Sequence, residues 1–145
     1  MSGAAKMTRP QALTRVLRGV SDDIAAYGAL LELQEQQFQA ALRHQPARLS
    51  ALAESINAAV DGMEQRRRQR VSLVRGLSGA GGTMNQIIEL LQGAPRLQLE
   101  TDWAALEQMV LECKRLNQRN SHLLTEQYSI MQRVLHGEDD TYAPG

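Results

Sequence analysis

The sequence predicts an all-α protein, an elongated antiparallel bundle of three long helices and one short helix, partly coiled-coil in its packing. Three observations predict it. Leu, Ala, Gln, Glu and Arg dominate the 145 residues while aromatics make up only 3%, an alphabet that favours helices. Apolar residues recur at steps of three and four over long stretches, the spacing of a helix face, and β-branched residues never alternate over a strand length. The turn signals are few, with HQPARL and SGAGGT the main ones.

The first helix is expected from about Pro10 to His44. Leu13, Leu17, Val20, Ile24, Tyr27, Leu31 and Phe38, with Gln34 and Ala41 in the remaining slots, alternate steps of four and three. That is the pattern of a helix packed along another, and at 1.5 Å per residue it spans roughly 50 Å. HQPARL turns the chain. Pro46 suits the first turn of the second helix, where its missing N–H would have had no partner. This helix carries Leu49, Leu52, Ile56, Val60 and Met63, then Val71, Val74 and Leu77. Between these groups lies RRRQR, residues 66–70, which reads as a solvated face because Asp61 and Glu64 lie within one turn of it.

SGAGGT ends the second helix. No strand precedes it and no lysine follows, so it reads as a connector and not as a phosphate loop. Thr83 and Gln86 can form a capping box for a short helix, MNQIIELLQ, which Gly93 and Pro95 would close. The last helix is expected to start near Thr101 as N-cap, with Asp102 in its first turn. It is expected to end at Gly137, because the acids that follow are unfavourable at a helix C-terminus. Its seam reads Trp103, Leu106, Val110, Cys113, Asn117, Asn120, Leu124, Gln127, Met131 and Val134, widened by Leu116, Leu123, Ile130 and Leu135. Residues 1–136 then form the bundle, and residues 137–145, GEDDTYAPG, a flexible tail.

Sixteen basic and sixteen acidic side chains balance, which gives no global attraction to nucleic acid or acidic lipid. The N-terminus lacks the apolar core of a secretory signal, and no apolar run approaches the ~18 residues of a membrane span. The single Cys113 leaves no internal disulfide and fits a reducing compartment. A soluble, cytoplasmic protein is the expectation. His44, His122 and His136 form no metal-binding spacing, Cys113 sits on the seam as a small hydrophobe, and no carboxylate falls on the apolar stripes read above. Neither catalysis nor a metal or cofactor is expected.

The unusual stretch is LNQRNSHLL, residues 116–124. Asn117 and Asn120 occupy seam slots where leucine would stabilise more, and Gln127 interrupts the seam again. Buried polar residues of this kind can hold a helix register. They also suit a face that stays soluble when empty and accepts a partner helix when filled. Both readings stand on the residues alone.

At these residues the chain resembles the FlgN family, cytoplasmic chaperones of bacterial flagellar export. LLELQEQQFQAALRHQPARLSALAESINAAV is similar to the family's first helical hairpin, KRLNQRNSHLL to its last-helix signature, and DTYAPG to its terminal tyrosine motif. The resemblance implies binding of the C-terminal segments of the hook–filament junction proteins FlgK and FlgL, protection of both from premature assembly and degradation, and delivery to the export gate. It implies a cargo surface at Asn117, Asn120, Leu123 and Leu124, which continues along the same face to Gln127, Ile130, Met131 and Val134. It further implies that Tyr142 docks on the cytoplasmic domain of the gate protein FlhA. A monomer, or a weakly self-associating protein, is the expectation. The alternative from another class is a structural coiled-coil module whose last helix mates with a copy of itself.

Overall fold

A computed structural model describes residues 7–142, with side chains as far as Glu138. The Tyr142 side chain and residues 143–145 of the expected tail lie outside the described residues. Four helices follow one another: α1 (Arg9–Leu42), α2 (Pro46–Ser78), α3 (Met84–Glu89) and α4 (Gly93–Tyr142). Among the described residues there is no strand.

Local chemistry sets most boundaries. Thr8 caps α1 in a capping box with Gln11: the Thr8 hydroxyl accepts from the Gln11 N–H, and the Gln11 side chain accepts from the Thr8 N–H. This satisfies two of the N–H groups that a helix start leaves unpaired. At the α1–α2 turn His44 takes a left-handed φ of 51°, and Pro46 stands in the first turn of α2. Thr83 and Gln86 form the expected capping box on α3.

α4 departs from expectation at both ends. It opens at Gly93, not Thr101, and Thr101 lies in its interior. Gly93 and Pro95 were expected to close a short helix, but a proline lacking its N–H fits a first turn equally well. The pairs Arg96–Glu100 and Gln98–Asp102, each four residues apart, then support the helix where a loop was expected. At the far end α4 continues across Gly137 to Tyr142. One glycine near an end lowers helix stability by only about 1 kcal/mol, too little to stop a helix of 50 residues.

α1 packs along both α2 and α4, and α3 bridges α2 and α4 at one end. The pairs Asp23–Arg66 and Gln36–Arg48 show that α2 runs antiparallel to α1. Gly28 beside Met109, Gln34 bonded to Cys113, and Ala41 bonded to Gln127 show that α4 runs parallel to α1. The core joins Val16 and Val20 of α1, Val74 of α2, Ile87 and Ile88 of α3, and Leu99 and Leu106 of α4. Each such side chain contributes about 1.5–3 kcal/mol by leaving water.

Flanked on two sides, α1 buries a broader arc than the expected stripe, centred on Ala12, Val16, Val20, Asp23, Leu30, Gln34 and Ala41. Leu13, Leu17, Ile24 and Tyr27 are half-buried on its flank. Asp23 corrects the expectation that no carboxylate lies among the apolar positions. It is 1% exposed, and Arg66 and Arg70 of α2 both donate to its carboxylate. RRRQR is therefore a solvated face only in part. Arg67 and Arg68 pair with Glu64 at the surface, whereas Arg66 and Arg70 turn inward.

Candidate functional site

The upper half of α4 divides at Gln127. Below it, polar side chains seat the helix on α1. Asn120, 2% exposed, donates from Nδ2 to the Gln34 carbonyl at 2.7 Å and to Gln37 Oε1 at 2.9 Å. Gln34 Nε2 donates back to the Cys113 carbonyl at 3.1 Å. Arg119 donates to Glu35 at 2.9 Å and lies over the Phe38 ring, 3.7 Å from its centroid, a cation–π contact. Gln127 Nε2 donates to the Ala41 carbonyl at 2.9 Å in the last turn of α1. These bonds fix the height and rotation of α4 against α1, since an axial slip breaks all of them together.

The seam differs from the expected one by a single step. From Cys113 it passes to Leu116, 6% exposed, and then to Asn120, while Asn117 is exposed. One residue is about 100° of helix rotation, so two neighbouring residues cannot both face α1. Leu123 and Leu124 are half-buried on either side of the arc, and Gln127 is half-buried at its end.

Above Gln127 the arc continues, and among the described residues no other helix covers it. α1 ends at Leu42, level with Gln127, and the fifteen residues 128–142 of α4 run on for about 22 Å at 1.5 Å per residue. Ile130, Met131 and Val134 project in the direction of Asn120 and Gln127, and each is 51–59% exposed. Tyr128 and Leu135, one helix face over, are 59% and 53% exposed. Leu42, at the end of α1, is 47% exposed. Together these side chains make a contiguous stretch of exposed apolar surface. Of the expected surface residues, the structure groups Ile130, Met131 and Val134 on the overhang. It places Leu123, Leu124 and Gln127 at the junction, Asn120 within the bundle and Asn117 off the arc. Tyr142 ends the same helix. Tyr128 is an addition, and its signal was the step of four from Leu124 and of seven to Leu135.

Two groups along the α1–α4 contact have shifted electrostatics. The Arg119 hydrogen bond holds the Glu35 carboxyl below the usual carboxylate range. Burial pushes the Cys113 thiol up, away from the thiolate that acts as a nucleophile. Among the described residues no three His, Cys, Asp or Glu side chains are grouped to hold a metal ion, and no helix is long and apolar enough to cross a membrane.

A family model described as FlgN protein matches residues 7–136, which takes in all of α1, α2 and α3 and α4 as far as His136. No match is found among curated proteins or solved structures. A match over this much of the chain, on a helical hairpin and a long last helix of the expected kind, makes the protein a member of the FlgN family, the flagellar export chaperones.

Proposed function

We propose that this chaperone works in the cytoplasm and holds the C-terminal segments of FlgK and FlgL against the free face of α4, from Leu123 to Val134. The observation that carries this is the uncovered continuation of the α1-facing arc through Ile130, Met131 and Val134. An amphipathic cargo helix laid on that arc would take the place that α1 holds lower down. The methionine thioether adapts to irregular partners, which suits two clients of different sequence. Asn117, exposed beside the arc, and the Asn120 level mark where the cargo helix would meet the bundle. The binding keeps junction proteins from assembling early, and Tyr142, at the end of the same helix, docks on the cytoplasmic domain of FlhA to present the loaded chaperone to the export gate.

Calorimetric titration with synthetic C-terminal segments of FlgK and FlgL tests the cargo surface. One-to-one binding at micromolar Kd or tighter is expected, about −8 kcal/mol. Ile130→Asp with Val134→Asp should weaken it at least ~100-fold, since apolar anchors at the centre of an interface supply most of its energy. Retained binding in that variant moves the cargo elsewhere. Tyr142→Ala should leave cargo affinity unchanged while reducing capture of FlhA, and equal loss of both would end the separation of roles. Sedimentation over a concentration series addresses the rival from another class: a tight dimer that persists with cargo present would assign the free arc to a second copy.

A further inference from the structure

The arginine-rich stretch of α2 does not belong to the cargo surface. It borders a groove of about 990 Å³ between the first half of α1 and the second half of α2, with no lining residue from α3 or α4. Five arginines line it, Arg15 and Arg18 from α1 and Arg66, Arg68 and Arg70 from α2, against one carboxylate, Asp22. The floor is apolar, formed by the half-buried Leu73 and the edge of Val16, whose side chain belongs to the core. A smaller cavity of about 380 Å³ continues it past Leu73 to Gly76.

Two observations show that this groove is not filled from within. Arg66 and Arg70 share the single buried carboxylate of Asp23, which leaves a net positive charge at the wall, and among the described residues no ion pair engages Arg15 or Arg18. Each helix also places one interior glycine along it, Gly19 of α1 at the groove and Gly76 of α2 at its smaller continuation, both facing open space where a Cβ would touch nothing. Glycine weakens a helix interior relative to alanine, and no intramolecular packing accounts for either one. Close approach of a partner would.

We infer that this groove docks an amphipathic helix with acidic flanks, a second protein segment distinct from the cargo and bound on the face away from α4. Charge complementarity selects the acidic flanks, and the apolar floor between arginine walls selects a helix with a narrow apolar stripe. A single nucleic-acid strand needs aromatic platforms for its bases, and no aromatic residue lines the groove. A lipid surface is flat and would not enter it.

The probe is a synthetic amphipathic peptide with leucines on one face and glutamates on both flanks, and its twin with lysines for glutamates, each titrated against the full chain by fluorescence anisotropy. The glutamate peptide is expected to bind, with affinity falling as salt rises, and the lysine twin is not. Arg15→Glu with Arg18→Glu, both exposed and outside the Asp23 network, should weaken the glutamate peptide by at least about tenfold. Gly19→Leu fills the groove while improving helix propensity, so the melting temperature should rise as peptide affinity falls. Ile130→Asp with Val134→Asp should leave this binding unchanged, which separates it from cargo. Three results would overturn the inference: glutamate-peptide binding absent or indifferent to the Arg15, Arg18 and Gly19 variants; Arg15- and Arg18-dependent binding of oligothymidylate or anionic vesicles without peptide binding; or an Arg15- and Arg18-dependent dimer in sedimentation without peptide binding, which would give the groove to a second copy.

Discussion

The two ends of α4 are built alike and behave differently. Between Leu99 and Gln127 its inward arc is covered by α1 and α3, with Leu99 at 0%, Leu106 at 2% and Leu116 at 6% exposure. Beyond Gln127 the same arc carries Ile130, Met131 and Val134 at 51–59% exposure. The composition of the arc hardly changes. What changes is that α1 stops at Leu42. One half of the helix contributes to folding, and the other keeps apolar area in reserve. Covering five half-exposed apolar side chains would release on the order of 5 kcal/mol, before the cost of ordering a partner.

The sharpest way to break this comparison is to set the free arc against the packed interior that α1 shares with its neighbours. Asp23→Ala leaves Arg66 and Arg70 without their buried carboxylate, and breaking such a pair costs about 3–5 kcal/mol. Urea denaturation should show that loss, while Ile130→Asp with Val134→Asp shifts the same curve by no more than ~0.5 kcal/mol, because surface substitutions disturb little. Similar losses in the two proteins would mean the overhang is part of the core. Next in size, Asn120→Ala removes both hydrogen bonds to α1 and a buried side chain, for an expected loss of about 2 kcal/mol in the same experiment. A neutral result would mean that α4 holds its register without the asparagine.

Acid should loosen the junction slightly. The folded carboxyl of Glu35 is held low by Arg119, so its contribution is present above the unfolded value and is lost as pH falls through the folded one. The pair is exposed, which limits the effect to ~0.5 kcal/mol. The stability difference between the wild type and Glu35→Gln, measured by thermal melts, should therefore close on acidification and persist at neutral pH. The smallest expected effect lies in the overhang. Gly137→Ala has open space for its Cβ and should raise helicity by circular dichroism, with a gain no larger than about 1 kcal/mol. Unchanged helicity would place the helix end before Gly137.

Much of the bundle was legible in the sequence because its signals are local. The α1–α2 turn, the Thr83–Gln86 capping box and the three-and-four periodicity depend on residues a few positions apart. The errors fell where local signals are ambiguous. Gly93 and Pro95 serve to end a helix or to begin one, and the choice rested on Leu99, which α3 helps to bury. At the candidate site, Ile130, Met131 and Val134 could be read from the period, whereas Asn117 could not be separated from Leu116 until α1 supplied a direction.

By itself the sequence determined that the chain is helical, where its main turn lies, and that its last helix carries an apolar arc with polar interruptions. Its stretches KRLNQRNSHLL and DTYAPG also pointed to the export-chaperone family. Only the tertiary structure decided which slots are interior. Asp23 becomes a buried anion because α2 brings two arginines to it across 43 and 47 residues of chain, and Asn120 becomes an internal clamp because α1 offers it a carbonyl. The arc becomes a free surface where α1 runs out. Helix periodicity states which residues share a face, but burial depends on what stands opposite, and that is a property of distant chain brought together.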